Sequence, residues 1–101
     1  MKQQLPSIER EGDNRFVIKG ELNMQTVPAL AETGHALLAQ ASGELAVDLA
    51  GVSRADSAGL ALLIDLQRQA RRRHCSIRFY HLPEQLGQIM LLSELHEILP
   101  I

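Results

Sequence analysis

Residues 45–80 change hydrophobic period twice, and few folds accommodate that change. Leu45-Ala46-Val47-Asp48-Leu49 is a near-continuous apolar run of strand length, which suits the interior of a sheet. Ser53-Arg54-Ala55-Asp56 follows as a polar loop. From about Ser57 to Arg73 apolar residues recur at helical spacing, and Ser76-Ile77-Arg78-Phe79-Tyr80 alternates like a half-buried strand. Strand, helix and strand make a βαβ unit, whose two strands are parallel and whose crossover is right-handed. The expected fold class is α/β: one small mixed β-sheet with helices mainly on one face.

The rest of the chain supplies the remaining elements. Ser7-Ile8-Glu9-Arg10 reads as a short edge strand, Gly12-Asp13-Asn14 as a turn, and Arg15 to Gly20 as its hairpin partner. Thr26 stands where an N-cap belongs, ahead of Pro28 in a first helical turn. Val27, Leu30, Ala31, Gly34, Leu37, Leu38 and Ala41 then define one face, and Ser42-Gly43 stops the helix. A glycine at 34 costs about 1 kcal/mol against alanine in a helix, so a close approach to the sheet is expected there. Pro83-Glu84 opens a last helix with Leu86, Ile89, Met90 and Leu92 inward, and the tail from Leu95 stays unassigned. Nothing resembles a repeat or a linker, so residues 1–101 are expected to form one domain.

Composition narrows the function classes. A formal charge of −2 gives no general attraction to nucleic acid or to acidic membranes. One cysteine, Cys75, fits a reducing compartment. Residues 1–6 lack the apolar core of a signal peptide, and the longest apolar run, Ala58 to Leu66, is half a membrane span and contains Asp65. The expected location is cytoplasmic, without direct membrane insertion.

The helix after the loop separates into faces. At steps of about 100°, Gly59, Leu60, Leu63, Leu66 and Ala70 fall on one side, facing the sheet. Ala58, Ala61, Asp65, Arg68, Gln69 and Arg72 fall on the other, with Leu62 near the boundary. Small residues at Ala58 and Ala61 leave room for a docking surface beside Ser57. They equally suit a helix that simply uses its best former. Arg71-Arg72-Arg73-His74 has two readings as well, a phosphate-binding patch or a complement to the helix dipole.

Asp56 and Ser57 precede backbone N–H groups that lack partners inside a helix, so either side chain suits an N-cap. Otherwise Ser57 is an accessible hydroxyl open to modification. A phosphate on it is favoured by the helix N-terminus and opposed by Asp56. Catalysis finds no support. Ser57 with Asp48 and one of His35, His74, His81 or His96 has no triad spacing, and no Gly-x-Ser-x-Gly elbow occurs. No Cys-x-x-Cys or His-x-x-x-His pair suggests a metal, and no phosphate-binding Gly-x-x-x-x-Gly-Lys loop is present. No catalytic residue, metal or cofactor is expected.

Val47-Asp48-Leu49 followed by Val52-Ser53-Arg54-Ala55-Asp56-Ser57-Ala58-Gly59-Leu60 resembles the signature of the STAS domain family. That fold is shared by anti-sigma factor antagonists and the cytoplasmic tails of sulfate transporters. The element order, including the Gly20-Glu21-Leu22 exit, agrees over essentially the whole chain. In the antagonists the serine directly after the aspartate is phosphorylated by a partner kinase, which makes Ser57 the implied acceptor. Those proteins often carry a second serine where this chain has Ala58. Within the family the chain looks most like the small MlaB-type subunit of the Mla phospholipid transporter, judging by its length, Gly59-Leu60-Ala61-Leu62-Leu63, and the ending from Leu92 to Pro100. The resemblance implies a non-catalytic subunit that binds a MlaF-like cytoplasmic ABC ATPase within a permease complex, peripheral to the inner membrane. The implied contact surface is Arg54, Asp56, Ser57, Ala58, Ala61, Leu62, Asp65 and Arg68. The alternative is an anti-sigma factor antagonist whose partner is an anti-sigma kinase.

Overall fold

A computed structural model describes residues 5–93, with side chains described to Gln88. The elements run β1 (Ser7–Gly12), β2 (Arg15–Leu22), α1 (Val27–Leu38), β3 (Glu44–Ala55), α2 (Ser57–Arg72), β4 (Ser76–Tyr80) and α3 (Glu84–Ser93). The sheet order is β1-β2-β3-β4. β1 and β2 form the expected antiparallel hairpin, whereas β2 with β3 and β3 with β4 are parallel. The described residues form a small α/β domain with a four-stranded mixed sheet and three helices.

The helices pack with the sheet around one core. Phe16 and Ile18 of β2, Leu45, Val47 and Leu49 of β3, and Ile77 and Phe79 of β4 are all buried, as their period of two requires. Leu60, Leu63, Leu66 and Ala70 of α2, Leu30 and Leu38 of α1, and Leu86 of α3 complete the same cluster. The inward burial expected of Ile89, Met90 and Leu92 lies outside the described side chains, and the tail from Leu95 lies outside the described residues.

Three local expectations need correction. The polar stretch after Leu49 is not a loop. β3 continues to Ala55, paired with the end of β2 through Lys19–Gly51, Gly20–Val52, Glu21–Arg54 and Leu22–Ala55. Register shifts just before Lys19 and again between Gly20 and Glu21 absorb the change from apolar to polar sequence. Thr26 does stand at the N-cap of α1, but its side chain makes no bond to a helical N–H. Its hydroxyl instead donates to Glu21 O at 2.7 Å, while the Asn23 carboxamide accepts from the N–H groups of Gln25 and Thr26. Gly34 does mark a close approach, but to α2: an added Cβ would stand 2.7 Å from Leu66 Cδ2, and 3.6 Å from Ile8 Cδ1 on the sheet.

Candidate functional site

The carboxyl ends of β2 and β3 and the start of α2 form one connected corner. The Asp56 N–H donates to Leu22 O at 3.2 Å, which ties the residue leaving β3 to the last residue of β2. The side chain of Asp56 then accepts from the Ala58 N–H at 2.8 Å, and its carbonyl accepts from Gly59 N–H at 2.9 Å. Asp56 is therefore the N-cap, a role worth about 1 kcal/mol. Gly59 lets the first turn of α2 settle on the strand ends, since a Cβ there would lie 3.0 Å from Leu22 Cβ and 3.2 Å from Ala55 Cβ.

With the cap supplied by Asp56, Ser57 at the first helical position is exposed, and its hydroxyl makes no hydrogen bond among the described residues. Ala61 and Arg68 are exposed on the same helix, and Ala58 and Asp65 are half-buried. Asp65 is held by His35 of α1, Nε2 to Oδ2 at 2.5 Å. Arg54 is exposed and only loosely paired with Glu21, at 3.9 Å. Leu62 does not belong with these residues. It is 1 % exposed and part of the core. On the helix it shares a flank with Leu66 and Asp65, the residues that meet Gly34 and His35 of α1, so a second helix covers the boundary position.

Some of this corner is hard to read from sequence. Glu21, Asn23, Arg54, Asp56 and Gln85 line a polar cleft of about 200 Å³. They come from β2, the connection to α1, the end of β3, the N-cap of α2 and the start of α3, and no single motif spacing links them all. Met24, 81 % exposed, stands in the same connection two residues beyond Leu22.

A second polar cluster lies on the sheet. Asp48, 8 % exposed, accepts from Arg15 Nη2 at 2.6 Å and from the Ala50 N–H at 2.9 Å, and meets His81 Nδ1 at 2.8 Å. The Ala50 hydrogen bond and then the His81 contact hold its carboxyl below the usual carboxylate range, against the opposing effect of burial. An aspartate inside an apolar strand signals a need for partners, but each side-chain partner is 33 residues away. Asp48 and His81 thus do meet, yet Ser57 bonds to neither.

Among the described residues no helix is long and apolar enough to cross a membrane, and no three His, Cys, Asp or Glu side chains are grouped so as to hold a metal ion.

Comparison with known proteins follows this geometry. The family model described as "Mlab, STAS domain" matches residues 9–100. No curated protein sequence matches the chain. Among solved structures, an anti-sigma-factor antagonist (STAS) domain protein from Planctomyces limnophilus superposes with a TM-score of 0.73 at 17% identity, covering 96% of this chain and 89% of the other. The anti-sigma factor antagonist SpoIIAA in its unphosphorylated form gives 0.66 at 17% identity, over 86% and 82% of the two chains. The murine anion transporter Slc26a9 gives 0.67 at 16% identity, over 87% of this chain and 15% of the transporter. At these identities the structures share the fold, while the match along residues 9–100 settles the kinship: the chain belongs to the STAS domain family.

Proposed function

We propose that the chain is a non-catalytic accessory subunit that binds the cytoplasmic, MlaF-like ATPase of an ABC-type phospholipid transport complex and supports its assembly and activity. In this reading it is peripheral to the inner membrane through that complex. One observation carries the docking face: because Asp56 supplies the cap, Ser57, Ala58 and Ala61 are left as a low surface of small side chains at the strand ends. Small residues let a partner approach closely, and here they adjoin a polar rim of Arg54, Asp65 and Arg68. Met24 adds an exposed apolar side chain suited to an adaptable contact. Leu62, being buried, packs inside the domain and takes no part in the contact. The Mlab description of the matching family model favours this partner class.

Affinity purification of the tagged chain from its native cell tests the reading. An ABC ATPase and its permease should co-purify with the wild type and be lost from Ala61→Glu. Ala61 is exposed, so the variant's melting temperature should stay within about 4 °C of wild type. Retention of the ATPase by Ala61→Glu, or recovery of an anti-sigma kinase in its place, would overturn the proposal.

The unbonded hydroxyl of Ser57 favours a second reading, an anti-sigma factor antagonist phosphorylated there by a partner kinase. A phosphate would bring close to two negative charges beside Asp56 and onto the docking face, repelling a partner more than it disturbs the fold. A phosphate-affinity gel should then show a retarded band that Ser57→Ala lacks. Its absence in all growth conditions counts against this reading.

A further inference from the structure

The arginines of α2 have no role in the contact just described beyond Arg68 at its rim. Arg68, Arg71, Arg72 and Arg73 are exposed, and none forms an ion pair among the described residues. Arg71 and Arg72 lie in the last turn of α2, where cations complement the helix dipole, and Arg73 is its C-cap. Arg68 stands a full turn before the helix end, where that effect has faded. Its natural local partner is Asp65, three residues earlier, but that carboxylate is engaged by His35 of α1 at 2.5 Å. Arg68 and Arg72 are also four residues apart, so two like charges face each other along an exposed helix, an arrangement that destabilises an isolated helix.

Helical geometry connects these arginines to the docking face. Ser57, Ala61, Arg68 and Arg72 fall within one narrow stripe along α2, about 22 Å from end to end. The stripe has a small, neutral half by the strand ends and a cationic half beyond it. We infer that the Arg68–Arg72 half of this stripe is a second contact, which receives carboxylates of the same protein that docks on Ser57, Ala58 and Ala61. Carboxylates set between the two guanidiniums would relieve their repulsion and replace the local partner that Asp65 cannot be. A lipid surface suits the stripe less well, because its outermost positions offer no large apolar side chain for insertion. The inference rests on the docking reading given above, and names the chemistry of the partner's far end: an acidic segment lying lengthwise on α2.

The test compares the affinity of the purified ATPase for wild type, Arg68→Glu/Arg72→Glu, Arg68→Gln/Arg72→Gln and Ala61→Glu. Each is measured in about 50 and about 300 mM NaCl, which changes screening across the stripe. Wild-type affinity should fall with salt. Charge reversal should lower it on the order of 10- to 100-fold at low salt, chiefly through slower association, and reverse this part of the salt dependence, since screening then relieves a repulsion. The glutamine pair should fall between, and all variants should retain the wild-type circular dichroism spectrum because both arginines are exposed. Wild-type affinity and salt dependence in both arginine variants, with binding lost in Ala61→Glu, would overturn the inference while sparing the docking face. Unchanged binding in Ala61→Glu would remove the docking face and the inference together. Vesicles of phosphatidylcholine and phosphatidylglycerol provide the last arm. Binding to them that is lost on charge reversal, with ATPase affinity unchanged, would assign the arginines to a membrane and overturn the inference.

Discussion

Leu62→Glu is expected to unfold the domain, while Ala61→Glu, one position earlier on α2, leaves it folded. Leu62 is 1 % exposed within the core, on the flank of α2 that faces α1. Truncating such a leucine to alanine alone costs about 2–5 kcal/mol. Leaving a carboxylate there without a partner adds several kcal/mol more. A domain of this size is stable by only about 5–15 kcal/mol, so the variant has little or nothing left. Ala61 is exposed, and a glutamate there meets water. Urea unfolding followed by circular dichroism at 222 nm makes the comparison. A Leu62→Glu variant with the wild-type midpoint would mean that α2 is rotated and that Leu62 belongs to the surface after all.

That pair of residues also shows what sequence periodicity can and cannot supply. The wheel separated Gly59, Leu60, Leu63, Leu66 and Ala70 from Ala58, Ala61, Asp65 and Arg68 correctly, because a helix on a sheet has one buried arc. It left Leu62 at the edge, since whether the arc widens depends on a neighbouring helix. Gly34 belongs to the same limit: its close approach was readable, but Leu66 of α2 rather than the sheet occupies the space. Similarly, the βαβ unit was plain from the change of period, whereas the extension of β3 to Ala55 was not. Val52-Ser53-Arg54-Ala55 has a polar composition, and only its pairing with the end of β2 keeps it extended. Asp56 as cap was one of two local options, and the structure chooses it through the Ala58 N–H. The polar cleft and the Asp48 cluster were beyond reach because their members converge from separate elements.

Asp48→Asn is expected to destabilise the domain at neutral pH and to flatten the acid limb of its stability profile. In the folded chain the Asp48 carboxylate accepts from the Ala50 N–H and contacts His81 and Arg15, and its pKa lies below the ordinary value of 3.8. A carboxyl depressed in this way adds stability at pH values above its unfolded pKa and surrenders it as pH falls through the folded value. The window of loss therefore opens near pH 4 and extends downward. Asparagine keeps an oxygen for the Ala50 N–H but removes the charge that holds His81 and Arg15. The Arg15 side chain is about half exposed and that of His81 more so, so solvent screens part of the attraction. Most of the effect then comes from the hydrogen bonds of a nearly buried carboxylate, on the order of 1–3 kcal/mol. Urea midpoints at pH 7 should show that loss for Asp48→Asn, and the gap from wild type should narrow progressively below about pH 4. A gap that stays constant from pH 7 to pH 3 would show that packing or a neutral hydrogen bond, and not the charge on Asp48, stabilises this side of the sheet.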